Sequence, residues 1–285
     1  MPKSPAIPIL PSISSLAESC DAWISDIWGV LHNGLAAFPA AVDACRAFRN
    51  RGGIIVLLSN APRPAISVMA QLDGLGVPRG AYDGIVTSGD LTRRLIGGEG
   101  AQRIFHIGPE RDRSIFDGLE AGLVGEADCA LVVCSGLWND DTETAEDYRA
   151  LLSRLAGRGL PMLCGNPDIV VERGPKLVYC AGALAELYEA LGGKVVYAGK
   201  PHLPAYAMAF EAIDAAKGRP VPRARILAIG DGLKTDIKGA AAAGIRSVFI
   251  ASALHVEGVL DDAALATLFD RHPTPPIAAQ GALVW

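Results

Sequence analysis

Four short segments of this chain put polar residues where an apolar run stops. They are Trp23-Ile24-Ser25-Asp26-Ile27-Trp28, Leu57-Leu58-Ser59-Asn60, Tyr197-Ala198-Gly199-Lys200-Pro201 and Ile229-Gly230-Asp231-Gly232-Leu233-Lys234-Thr235-Asp236. Together they hold the parts of a phosphoryl-transfer site. A carboxylate can attack phosphorus and form an acyl phosphate, which divides hydrolysis into two easier steps. The incoming phosphate is anionic, so the attack needs its repulsion cancelled. A hard cation held by further carboxylates does this, and magnesium binds through few carboxylates with waters and substrate oxygens completing its shell. Lysine and hydroxyl donors then hold the equatorial oxygens, because such chemistry is mostly positioning and electrostatic stabilisation. Asp26, Asp231 and Asp236 are the candidate acids; Ser59 and Lys200 are the candidate donors.

Those residues work together only if the fold brings the ends of their strands side by side. Short β-branched runs at Trp23–Asp26, Ile54–Ser59, Gly84–Ser88, Val195–Ala198, Ile226–Gly230 and Ser247–Ile250 read as strands. Helical periodicity fills Pro39–Asn50, Pro64–Leu75 and Pro204–Lys217 between them. Near-continuous apolar strands alternating with helices predict an α/β fold with a doubly wound parallel sheet, which binds ligands at the carboxyl ends of its strands. The middle of the chain repeats the alternation, with strands at Arg103–Ile107, Ala130–Ser135 and Pro161–Cys164 and helices near Arg113–Ala121 and Thr144–Gly157. The expected organisation is a core of residues 1–90 and 194–285 with a second α/β domain, 91–193, inserted into it. The proline-rich tail after Arg271 is expected to lack regular structure.

Composition narrows the function. Half of the 285 residues are hydrophobic, a fifth are charged and the formal charge is −5, a globular balance with no basic run. Nucleic-acid binders carry clustered Lys and Arg, so no nucleic-acid partner is expected. The six cysteines form no Cys-x-x-Cys pair and several lie in apolar stretches, which predicts buried free thiols. Met1–Pro11 lacks the apolar segment of a secretory leader, and the apolar runs are strand-sized, far short of a membrane span. The expectation is a cytoplasmic protein without membrane contact. Whether copies associate into a homo-oligomer is left open. His106, His202, His255 and His272 show no metal spacing.

In order and spacing, the four segments resemble motifs one to four of the haloacid dehalogenase superfamily. The insertion between the second and third resembles its subfamily with a type-two cap, the branch that holds nucleotide and p-nitrophenyl phosphatases. Cys164-Gly165-Asn166-Pro167-Asp168 and Gly199-Lys200-Pro201 strengthen that resemblance. It implies a magnesium-dependent phosphatase acting on a small phosphorylated metabolite, of sugar phosphate or nucleotide type, through an aspartyl-phosphate. It makes Asp26 the nucleophile and a metal ligand, with Asp231, Asp236 and the Trp28 carbonyl completing the metal set. Ser59, Asn60, Lys200, Asn166 and Asp168 are the implied substrate contacts. One position departs from the pattern. The residue two after the nucleophile is usually a second aspartate that protonates the leaving group, and here it is Trp28. Loss of a positioned acid typically lowers rate by about 10²–10⁴. His32, four residues further on, could replace it, since an unperturbed imidazole titrates near neutrality. Two other functions stay open on these residues: a phosphometabolite-binding or regulatory protein with weak turnover, and a haloacid dehalogenase. The second acidic pair argues against the dehalogenase, which needs no metal.

Overall fold

The computed structural model describes residues 7–98, 102–173, 176–251, 260–270 and 272–285. Residues 1–6, the start of the segment judged not to be a leader, lie outside them, as does His255. The described strands, in chain order, are β1 Ala22–Ser25, β2 Ile54–Ser59, β3 Gly84–Thr87, β4 Gln102–Ile107, β5 Ala121–Leu123, β6 Leu131–Cys134 and β7 Pro161–Cys164. They continue with β8 Val170–Arg173, β9 Lys176–Tyr179, β10 Lys194–Tyr197, β11 Ile226–Gly230, β12 Arg246–Ile250 and β13 Ala278–Gln280. The chain packs into two compact units. One comprises Met1–Ser59, Ala70–Val86 and Tyr206–Trp285; the other comprises Asn60–Met69 and Thr87–Ala205.

The first unit is built on a six-stranded sheet in the order β13-β12-β11-β1-β2-β3. β1 pairs in parallel with both β11 and β2, so it lies inside the sheet. Its four residues, Ala22 to Ser25, are all buried, as a strand covered on both faces requires. Register fixes the strand ends: Ser25 lies opposite Ile229 of β11 and Leu57 of β2. The Asp26 N–H then donates to the Ile229 carbonyl at 2.8 Å. Asp26, Asp231 and Ser59 therefore leave neighbouring strands at the same edge of the sheet. Trp23 anchors the strand, stacked on Phe48 of helix Pro39–Asn50 with ring centroids 4.0 Å apart.

The second unit holds a five-stranded sheet in the order β10-β7-β6-β4-β5, with every pairing parallel. A separate antiparallel hairpin joins β8 and β9. Strand Lys194–Tyr197, which the sequence places in the segment returning to the core, hydrogen-bonds to β7 in this sheet.

Two expectations need correction. Arg113–Ala121 is not a helix: a 3₁₀ segment spans Glu110–Phe116, and Ala121 opens β5. The tail does contain regular structure. Ala278–Gln280 is fully buried and forms the edge strand beside β12. Its other side is held by Pro8 to Leu10, through Ala279 N–H to the Pro8 carbonyl and Leu10 N–H to the Ala279 carbonyl. A three-residue Ala-Ala-Gln strand has little β propensity of its own, and the pairing on both sides decides it. The six cysteines are all buried and free, as expected. Among the described residues no helix is long and apolar enough to cross a membrane.

Candidate active site

Three carboxylates meet at the strand ends of the first unit. Asp26, Asp231 and Asp236 each offer an oxygen, and these oxygens all lie within 4.8 Å of one another. Asp26 and Asp236 are buried. The backbone holds each in place. The Ile27 N–H donates to Asp26 Oδ1 at 2.7 Å, which sets the carboxylate at the end of β1. The Gly232 N–H donates to Asp236 Oδ2 at 3.1 Å, with the Thr235 hydroxyl at 3.4 Å from the same oxygen. Asp236 sits in a single π-helical turn, Leu233–Ile237, closed by Ile237 N–H to the Gly232 carbonyl at 3.0 Å. Single π-helical turns are rare, and they are frequent at functional sites.

Glycine makes the cluster sterically feasible. A Cβ on Gly29 would overlap the Asp231 carboxylate, and Gly29 has φ +80°, a conformation that favours glycine. A Cβ on Gly230 would overlap the side chain of Asp236. These two clearances were not singled out from the sequence, although Gly230 precedes Asp231 and Gly29 lies three residues after Asp26.

The donor set is compatible with a metal ion. Three acidic oxygens this close repel one another unless a cation or a proton offsets the charge. An all-oxygen set suits a hard divalent ion rather than one preferring nitrogen or sulfur.

Trp28 is held rigidly beside the cluster's strand. Its ring meets His32 edge-on at 5.0 Å, and a Cβ on Gly34 would lie 2.6 Å from its Cζ2. Among the described residues the buried Trp28 indole N–H has no hydrogen-bond partner. His32 is buried against Trp28 in the turn after β1. It is 2% exposed, and its Nδ1 accepts the Gly34 N–H at 2.9 Å. Burial pushes its pKa down to about 4, so the ring is neutral at neutral pH. A neutral imidazole whose lone pair is already engaged braces Trp28 and the turn.

The remaining candidates cluster in the second unit, apart from Ser59, which ends β2 of the first. Lys200 is 2% exposed, Asn60 4% and Asn166 8%, an unusual depth for polar side chains. The Asn60 amide nitrogen donates to Asp168 Oδ1 at 2.9 Å and to the Lys200 carbonyl at 3.1 Å. Its oxygen accepts the Lys200 N–H at 2.7 Å and the Ser88 hydroxyl at 3.3 Å. Asn166 Oδ1 accepts the Asp168 N–H at 3.1 Å, the local turn expected of Asn-Pro-Asp. The Gly182 N–H then fixes the Asp168 carbonyl at 3.1 Å. Elsewhere in this unit, His106 Nε2 and Ser135 Oγ are 2.8 Å apart, and Asp112 lies buried nearby.

A doubly wound parallel sheet with carboxylates converging at its strand ends has the build of a ligand-binding site compatible with a metal ion. Comparison with known proteins carries the assignment further. Residues 23–121 match the haloacid dehalogenase-like hydrolase family profile, and residues 197–275 match the HAD-hydrolase-like profile. A haloacid dehalogenase-like family hydrolase from Brucella suis is 49% identical, with a TM-score of 0.87 over 96% of this chain and 100% of that one. A D-glycerol 3-phosphate phosphatase from Mycobacterium tuberculosis is 30% identical over 84% of this chain; the chain spans 65% of that relative's length. A 4-nitrophenylphosphatase from Thermotoga maritima, 24% identical, shares the fold with a TM-score of 0.69, over 94% of this chain and 96% of its own. The chain belongs to the haloacid dehalogenase-like hydrolases, an enzyme family whose fold here includes a cap domain.

Proposed function

We propose that this protein is a magnesium-dependent phosphatase acting on a small phosphorylated metabolite. The observation that carries the reading is the carboxylate trio Asp26, Asp231 and Asp236 at adjacent strand ends. In this reading an Asp26 oxygen attacks phosphorus, the bond to the leaving oxygen breaks, and an aspartyl-phosphate forms. Water then attacks that phosphorus, releasing inorganic phosphate and restoring Asp26. Ser59 and Lys200 hold the phosphoryl oxygens, and Asn166 and Asp168 contribute to substrate binding. Asp26, Asp231, Asp236 and the Trp28 carbonyl would hold magnesium. Bound there, the ion offsets the negative charge that gathers between nucleophile and phosphate. The inserted region centred on 91–193 serves as the cap.

Trp28 sets the proposed selectivity. An indole cannot protonate a leaving group, so the departing oxygen must take its proton from water. Aryl and acyl leaving groups tolerate this, whereas a sugar alkoxide does not. The same residue supports a second reading, a phosphometabolite-binding or regulatory protein with weak turnover. The test is magnesium-dependent phosphate release from p-nitrophenyl phosphate and from alkyl phosphates, by wild type and Trp28→Asp. The aryl rate should exceed the alkyl rate in wild type, and the substitution should raise the alkyl rate by about tenfold or more. Ordinary turnover of a sugar phosphate by wild type would overturn the missing-acid argument. No hydrolysis of any substrate, with phosphate still bound, would favour the binding protein.

A further inference from the structure

We infer that Asn60 is a positioning residue whose side-chain amide clasps the backbone of Lys200 and so sets where the Lys200 ammonium stands. The inference rests on the phosphate-binding role proposed for Lys200. It replaces the direct substrate contact that the sequence suggests for the Asn60 side chain.

The hydrogen-bond inventory carries the argument. A side-chain amide has two N–H donors and an oxygen with two lone pairs. In Asn60 both donors are used, by Asp168 Oδ1 and the Lys200 carbonyl, and the oxygen takes both the Lys200 N–H and the Ser88 hydroxyl. With all four places filled, the amide reaches a substrate only by giving up one of these partners. Its orientation is also fixed. Turned over, the amide would set NH₂ against the Lys200 N–H and oxygen against both the Lys200 carbonyl and Asp168.

The bonds to Lys200 engage both of its backbone groups, as a neighbouring strand would, although residues 60 and 200 are far apart in sequence. The Lys200 side chain is itself buried, so a shift of its backbone carries the ammonium with it. The surroundings are shaped for this clasp. A Cβ on Gly199 would lie 2.6 Å from Asn60 Oδ1 and 2.7 Å from Pro167 Cδ, so any larger residue would push the clasp apart. Asp168 is held from behind by the Gly182 N–H and in front by Asn60, and it gives the amide a charged acceptor.

A double-mutant cycle tests this. Affinity for inorganic phosphate, with magnesium present, is measured by calorimetry for wild type, Asn60→Ala, Lys200→Ala and the double variant. Asn60→Ala and Lys200→Ala should each weaken phosphate binding by about tenfold, a loss typical of a hydrogen bond to a charged group. The double variant should be no weaker than Lys200→Ala alone, to within about twofold. Magnesium affinity should stay at the wild-type value in Asn60→Ala, which a general loss of structure would not allow. If Asn60→Ala does not fold, the isosteric Asn60→Asp carries the same cycle. It keeps the acceptor for the Lys200 N–H but turns an oxygen toward the Lys200 carbonyl and Asp168. Additive losses, near a hundredfold in the double variant, would show that Asn60 acts on phosphate independently and would overturn the inference alone. Unchanged phosphate affinity in Lys200→Ala would remove Lys200 from the site and take both the reading and the inference with it.

Discussion

The acidic cluster of the first unit and the amide clasp of the second solve the same problem in opposite ways. Both hold buried polar groups in fixed geometry. In the first, the groups are alike in charge, and the backbone does the holding. Register between β1 and β11 brings Asp26 and Asp231 to one edge, and Gly29 and Gly230 leave room for Asp231 and Asp236. In the second, the groups are complementary, and one side chain satisfies its neighbours by itself. The difference teaches where each is fragile. A like-charge cluster is costly until a cation or a proton offsets its charge. A saturated clasp is complete without a ligand and acts by placing a neighbour.

The largest expected effect breaks the first region chemically. Asp26→Asn removes the proposed nucleophile but little volume, so hydrolysis should fall on the order of 10⁴-fold or more while the circular dichroism spectrum is kept. Residual activity within about a hundredfold of wild type would mean that another group attacks phosphorus.

Next in size is the loss of a proposed cation ligand. Asp231→Asn should weaken magnesium binding most, and Asp236→Asn by about 10–100-fold, the range for residues that support a metal ligand. Calorimetry of magnesium binding reads both, and equal affinities in wild type and Asp231→Asn would remove that residue from the site.

Two alanine insertions sharpen the comparison. Gly230→Ala puts a methyl group into the space of Asp236 and should lower magnesium affinity by about tenfold. Gly199→Ala crowds the clasp and should weaken phosphate binding severalfold with magnesium affinity unchanged. If the two variants gave the same profile, the regions would not be independent.

The smallest effect concerns stability and lies away from both. Burial pushes the Asp112 carboxyl up to about 6 from 3.8, with nearby Arg111 and Arg63 opposing the rise. The native chain therefore holds a proton between those values that the unfolded chain has released. Charging Asp112 costs stability, fully felt above about pH 6 and absent below about pH 4. Asp112→Asn should raise the unfolding free energy at pH 7.5, read as a higher melting temperature, by a fraction of the roughly 3 kcal/mol that the raised pKa represents. The gain should vanish near pH 4. A gain that persists there would trace to packing instead of charge.

Much of this was legible in the sequence because it is local. Helix Pro39–Asn50 and strands Ile54–Ser59, Ile226–Gly230 and Pro161–Cys164 fall where periodicity puts them. The acids of the first unit were readable for the same reason: each follows directly on an apolar strand, and a parallel sheet brings such ends together. Trp28 was visible as an anomaly. Its support was not, because the neutral ring of His32 and the clearance at Gly34 depend on how the turn after β1 closes.

What the sequence determined by itself is the set of groups and the strands that end in them, since hydrophobic period and residue type are properties of short stretches. Only the tertiary structure decided that Ala278–Gln280 is a buried strand, that Lys194–Tyr197 pairs with β7, and that one asparagine amide joins residues 60, 88, 168 and 200. Each of these is a hydrogen-bond pairing between segments distant in the chain. Pairing energy depends on which backbone groups are left to be satisfied once everything else has packed, and no local pattern records that.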